Sequence, residues 1–143
     1  MNYKFTPILA VAVSLMGLTT AVAEDSVKEV LVCATQEIHV CALHEPCSQL
    51  NPKEINAPDF LKIDLKKMEI TGRRYDGTYG TLAIDKKTLL PKLLLLQGVN
   101  AEPEELEDGL AYSVAIHVDT GRMAASVTTT ETVYSLVGAC HAL

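Results

Sequence analysis

Beyond its first two dozen residues this chain nowhere sustains the apolar spacing of an amphipathic helix; its apolar positions recur every second residue instead. Leu61, Ile63 and Leu65 alternate with Lys62, Asp64 and Lys66, so one face is set for burial and the other for water. Lys66 and Lys67 read as a turn, and Met68, Glu69 and Ile70 resume the alternation. In the C-terminal third, Val114, Ile116 and Val118 alternate with Ala115, His117 and Asp119. Asp119-Thr120-Gly121-Arg122 then has the turn chemistry of a hairpin: Asp bonds backbone amides and Gly supplies positive φ. Met123 to Thr130 is the return strand and Val133 to Cys140 the last one. Val27 to Ala34 and Glu37 to Leu43 read as two strands separated at Thr35-Gln36, and Leu89 to Leu96 as one buried strand. The sole helical signal is one turn. Asn51-Pro52-Lys53-Glu54 combines a cap, proline at the first helical position and glutamate at the third, and Pro58 stops it.

Eight or nine short strands with almost no helix predict an all-β domain. The preferred form is a small antiparallel up-and-down barrel of about eight strands, with a β-sandwich as the alternative.

The first 23 residues fit a cleavable export signal better than any part of the fold. Lys4 provides the positive start, Ile8 to Leu18 a short apolar run, and Ala21-Val22-Ala23 the small-x-small cleavage site. The run holds Ser14 and Gly17 and falls short of the roughly 20 apolar residues of a membrane span. Cleavage after Ala23 leaves 143 − 23 = 120 residues, Glu24 to Leu143, the size of one domain. The expected location is the periplasm or the secreted fraction, with no membrane insertion after cleavage.

Export changes the meaning of the cysteines. All four, Cys33, Cys41, Cys47 and Cys140, lie behind the signal, and an even count in an oxidising compartment implies two disulfides. Cys41 and Cys47 flank a short segment that closes as a local loop, which leaves Cys33 for Cys140; Cys41 with Cys140 is the rival pairing. A Cys33–Cys140 bond favours a barrel, because in a closed meander the first and last strands are neighbours.

Charge narrows the partners. The chain carries 12 Lys and Arg against 18 Asp and Glu, a net −6. Such a balance opposes nucleic acid. The basic pairs Lys66-Lys67, Arg73-Arg74 and Lys86-Lys87 read as solvated turns, and acid-rich Gly98 to Gly109 as an exposed loop with a short helical turn after Pro103.

Two constellations carry potential chemistry. His39-x-Cys41-x-x-His44, with Cys47 and His141 near by, has zinc- or copper-ligand residue types at short spacing. Disulfide formation removes those thiolates, so no metal or other cofactor is expected. His117 and Asp119 with Ser113, Ser126 or Ser135 contain the residue types of a hydrolase, but no G-x-S-x-G elbow accompanies them. No catalytic residue is assigned.

Four short pieces carry a resemblance: Val30-Leu31-Val32-Cys33-Ala34-Thr35, Asn56-Ala57-Pro58-Asp59-Phe60-Leu61, Asp119-Thr120-Gly121-Arg122-Met123 and Gly138-Ala139-Cys140. In them the chain resembles a group of small exported bacterial proteins, and its hairpin pattern is similar to calycin-like barrels, lipocalins included. The resemblance implies the barrel and assigns no site residue. The expectation is a monomeric, non-enzymatic binding module carrying a small apolar molecule, with Leu89, Leu90 and Leu93 to Leu96 lining or filling its interior. The alternative is a module that binds an exported protein, such as a protease or lysozyme inhibitor, through the Gly98 to Gly109 loop.

Overall fold

The computed structural model describes residues 28–100 and 109–143. The expected signal and the helical turn after Pro103 lie outside the described residues. The described chain is all-β and antiparallel. Its strands are β1 (Val30–Ala42), β2 (Ser48–Leu50), β3 (Phe60–Asp64), β4 (Glu69–Arg73) and β5 (Tyr79–Ala83). Then come β6 (Lys86–Leu90), β7 (Leu93–Asn100), β8 (Leu110–His117), β9 (Arg122–Thr128) and β10 (Thr132–Ala142). The one helical element among the described residues is a 3-10 turn at Pro52–Ile55. Asn51 caps it and the Glu54 side chain bonds back to the cap amide, as its sequence predicts.

Hydrogen bonding runs β5-β4-β3-β1-β10-β9-β8-β7-β6, and β2 adds to the second half of β1. The two ends of this path are consecutive in the chain, joined by Ile84 and Asp85. The Ile84 amide donates to the Met68 carbonyl (2.8 Å), and the Asp85 amide donates to the Gln97 carbonyl of β7 (2.9 Å). One bent strand therefore leaves β4 and joins β7, and that bend curls the sheet into a barrel. Counted with β5 and β6 as that single strand, eight strands follow one another up and down the ring, as the period-two pattern predicts.

The seam at this bend is tight. The Asp85 carboxylate accepts from the Val99 amide (2.7 Å), and the Tyr112 hydroxyl donates to the Ala83 carbonyl. Gly98 leaves room for both: a Cβ there would meet the Ala83 carbonyl and, at 2.7 Å, the Tyr112 ring. Burial pushes the Tyr112 phenol up to about 12, so it stays a donor at every ordinary pH.

The interior is filled from all sides. Ile63, Leu94, Leu96 and Cys33 are fully buried, with Ile70, Tyr112, Val114, Ile116 and Met123 packed among them, and Ile38 is fully buried outside this cluster. Each such aliphatic side chain contributes about 1.5–3 kcal/mol on burial. Both disulfides have the preferred pairing, Cys33–Cys140 and Cys41–Cys47. Cys33 and Cys140 sit opposite each other in the β1–β10 ladder, so the bond joins the first barrel strand to the last.

Four local expectations are corrected. The two N-terminal strands are one, β1, because the β1–β10 register skips a residue between Thr35 and Glu37. That bulge bends the strand and keeps Thr35 and Ile38 on the inner side, which the chain could not do by running straight. The Leu89 to Leu96 run is a hairpin, with Leu90 opposite Leu93. Pro91 has no amide for a ladder, so the chain turns at Pro91-Lys92. Lys86 and Lys87 lie in β6 rather than in a turn, and Gly98 to Asn100 belong to β7.

Two outcomes test this architecture. Loop closure predicts that the bridge across 107 residues contributes about 5 kcal/mol and the bridge across 6 about 2. Urea titration of the paired variants C33A/C140A and C41A/C47A should therefore show a clearly larger loss for the first. Gly98→Val overpacks the seam and should cost about 1–3 kcal/mol in the same assay, against little change for Gly77→Asn in an exposed turn.

Candidate functional site

The two ends of the barrel differ. At the end where β1 finishes, the chain from Leu43 to Asp59 packs beside β1 and β4. Cys41–Cys47 closes its first loop, and β2 pairs back on β1 at Ile38, His39 and Val40. Pro58 lies on Gly72 so closely that a Cβ on Gly72 would stand 2.6 Å from the proline ring. The β4–β5 turn clasps this segment from outside. Asn56 donates to the Asp76 carboxylate (2.7 Å) and accepts from the Asp76 amide (3.1 Å), and the Tyr75 hydroxyl donates to Asp59 (2.5 Å). The Thr78 hydroxyl and amide, then Asn56, hold the Asp76 carboxyl down at about 2. Donation to Asp59 raises the Tyr75 phenol.

The other end, where β1 begins and β10 finishes, holds a pocket of about 330 Å³. Its floor is apolar: Leu31 of β1, Leu94 of β7, Ile116 of β8 and Cys140 of β10, all continuous with the barrel core. Its rim is polar and carries both signs of charge, with Lys28, Asp119, Thr120 and His141. The β8–β9 turn builds half of this rim. The Gly121 amide donates to the His117 carbonyl (2.8 Å), and the Gly121 carbonyl accepts from the Cys140 amide (2.7 Å). Gly121 has φ 69°, and a Cβ there would strike the Cys140 carbonyl, so both conformation and space demand glycine. At the neighbouring β3–β4 turn, the Asp64 carboxylate accepts from the amides of Lys67 (2.9 Å) and Lys66 (3.2 Å), which lowers its pKa.

The residues singled out in the sequence are dispersed. Cys41 and Cys47 are bonded to each other, His39 lies beside Glu37 (3.6 Å) on the outside, and His141 is at the opposite rim. Among the described residues no three His, Cys, Asp or Glu side chains are grouped to hold a metal ion. Ser113, Ser126 and Ser135 stand side by side in register on the outer face, while His117 lies four residues along β8, about 13 Å from Ser113. Asp119 belongs to the pocket rim instead.

Of the leucine run, Leu94 alone reaches the pocket; Leu96 is in the core, and Leu89 and Leu90 are about half exposed. Residues 101–108 of the acidic loop lie outside the described residues. Lys28 was missed at the sequence level, and His141 was read there as part of the His/Cys constellation, because nothing in their neighbours signals a shared rim; only the β1–β10 pairing brings them together.

The chain matches no protein-family model, no curated protein and no solved structure.

The clasp between Asn56 and Asp76 gives a pH prediction. A carboxyl depressed from 3.8 to about 2 stabilises the fold fully above its unfolded pKa, and this contribution is lost as pH falls through the folded value. The Asp76 and Thr78 amide NMR signals should titrate with a midpoint near 2, and Asn56→Ala should move that midpoint upward.

Proposed function

We propose that this chain is an exported, non-enzymatic binding module of the periplasm or secreted fraction. Its ligand is a small molecule with an apolar body and a polar or charged head, held at the open end of the barrel. Two disulfides fit an oxidising compartment, and the Ala21-Val22-Ala23 signal accounts for how the chain reaches one.

The observation that carries the reading is the pocket whose floor is barrel core and whose rim is charged. At about 330 Å³ it lies at the small end of ligand sites, which favours a compact ligand over a long acyl chain. Leu31, Leu94 and Ile116 would take the apolar body. Lys28, Thr120 and His141 supply donors for a head group, and Asp119 accepts from it. The barrel below is packed by its own side chains, so the ligand is held at the mouth rather than inside.

The test uses 1-anilinonaphthalene-8-sulfonate, an apolar dye with one anionic head. One dye per chain should bind with a fluorescence rise. Val118→Trp, which fills the mouth, should weaken binding at least tenfold with circular dichroism unchanged, and Lys28→Glu should weaken it several-fold. Dye binding that ignores Val118→Trp would overturn the reading, as would no binding at all. Native mass spectrometry of protein from its own host then reports the mass of any retained ligand.

A further inference from the structure

We propose that the outer face of β7–β10 is a self-association surface on which a second copy of this chain stacks, sheet against sheet. The ladders fix which side chains share that face. Buried Leu94, Leu96, Tyr112, Val114, Ile116 and Met123 point inward, so their alternates point out. Register aligns Leu95, Ala115, Ala124 and Val137 in one row across four strands. The next row is Gln97, Ser113, Ser126 and Ser135.

Charge is the first argument. Among the outward positions of β7 to β10, Arg122 at one end is the single Asp, Glu, Lys or Arg. Outside these strands, the outward positions of β3 and β4 include Lys62, Glu69 and Arg73. Solvent-facing strands are normally rich in charge, and sheet surfaces without it invite association. In a molecule of net charge −6, two copies approach with least repulsion through their neutral faces.

Shape is the second argument. A barrel wall is convex, which opposes flat stacking. Here the central positions of the row are alanine and the flanking ones leucine and valine, so side-chain size offsets the curvature. β6 continues the face with Thr88 and Leu90 and bounds it with Lys86 beside Gln97, so that it measures about 24 Å by 20 Å, a projected footprint of about 500 Å². That footprint is smaller than the roughly 800 Å² per partner of a standard interface, as fits a weak dimer.

The occupant is a second copy because the face offers a dissimilar partner neither a pocket nor a charge pattern to read. A flat neutral sheet complements another flat neutral sheet, and the two-fold pairing uses the same patch twice. This surface and the pocket are independent, so failure of one proposal leaves the other standing.

Sedimentation equilibrium of the chain, in the form its host accumulates, should give twice the chain mass at about 50 µM. Ala124→Arg places a charge at the centre of the stack and should weaken the dimer at least a hundredfold. Thr81→Arg, on β5 beside β4 and outside this face, should leave it intact, and circular dichroism and disulfide content should be unchanged in both variants. The mass of a single chain for the unsubstituted protein at that concentration would overturn the proposal. An assembly larger than two, or a dimer that survives Ala124→Arg, would do the same.

Discussion

The pairing of β1 with β10 is the contact on which the rest of this molecule rests. It runs from Leu31 opposite Ala142 to Ala42 opposite Thr132, and it joins the first barrel strand to the last. Such a contact is costly to form, because most of the chain must be ordered between its two sides before it contributes. The Cys33–Cys140 bond lies within that ladder and removes much of this cost by tying the strands in the unfolded chain as well. Cys33 is fully buried and belongs to the core, so the same residue serves as staple and as packing.

A second constraint sits across the barrel, where Ile84 and Asp85 carry the chain from β4's side to β7's. No disulfide holds this seam. It depends on backbone bonds, on Asp85 and Tyr112, and on the space that Gly98 leaves. The two closures together give the barrel different ends. The segment Leu43 to Asp59 packs beside β1 and β4 at one of them, with Asp76 and Asn56 clasping it. Among the described residues, the other end has short turns and the start and finish of the stapled ladder, and the pocket forms there.

The walls are unequal as well. One side of the barrel carries charge on its outer face, and the other presents alanine, serine and valine in register. Core packing does not require this difference, since outward residues do not touch the core. On the proposed readings, one wall faces solvent, one faces a copy of itself, and the mouth faces a ligand.

Much of the fold was legible in the residues. The period-two alternation at Leu61–Leu65 and Val114–Val118 gave strands, Asp119-Thr120-Gly121 gave the hairpin, and Asn51 to Glu54 gave the single capped turn. The cysteine spacing and the expectation of export led to both disulfides. Less visible were β5 and β6, whose polar Thr81 and Lys86-Lys87 conceal a strand that is half outside the core. The bulge at Gln36 was hidden because a bulge is set by the partner's register, and the Leu89–Leu96 hairpin because apolar runs look alike whether they bend or not. The pocket rim was illegible altogether. Lys28, Asp119 and His141 lie far apart along the chain, and no local pattern links them. By itself the sequence determined what local chemistry controls: alternation, turns, caps and the oxidised state of the cysteines. Only the tertiary structure decided which strands close the ring, which end stays open and which faces lie side by side, because those depend on register between segments distant in sequence.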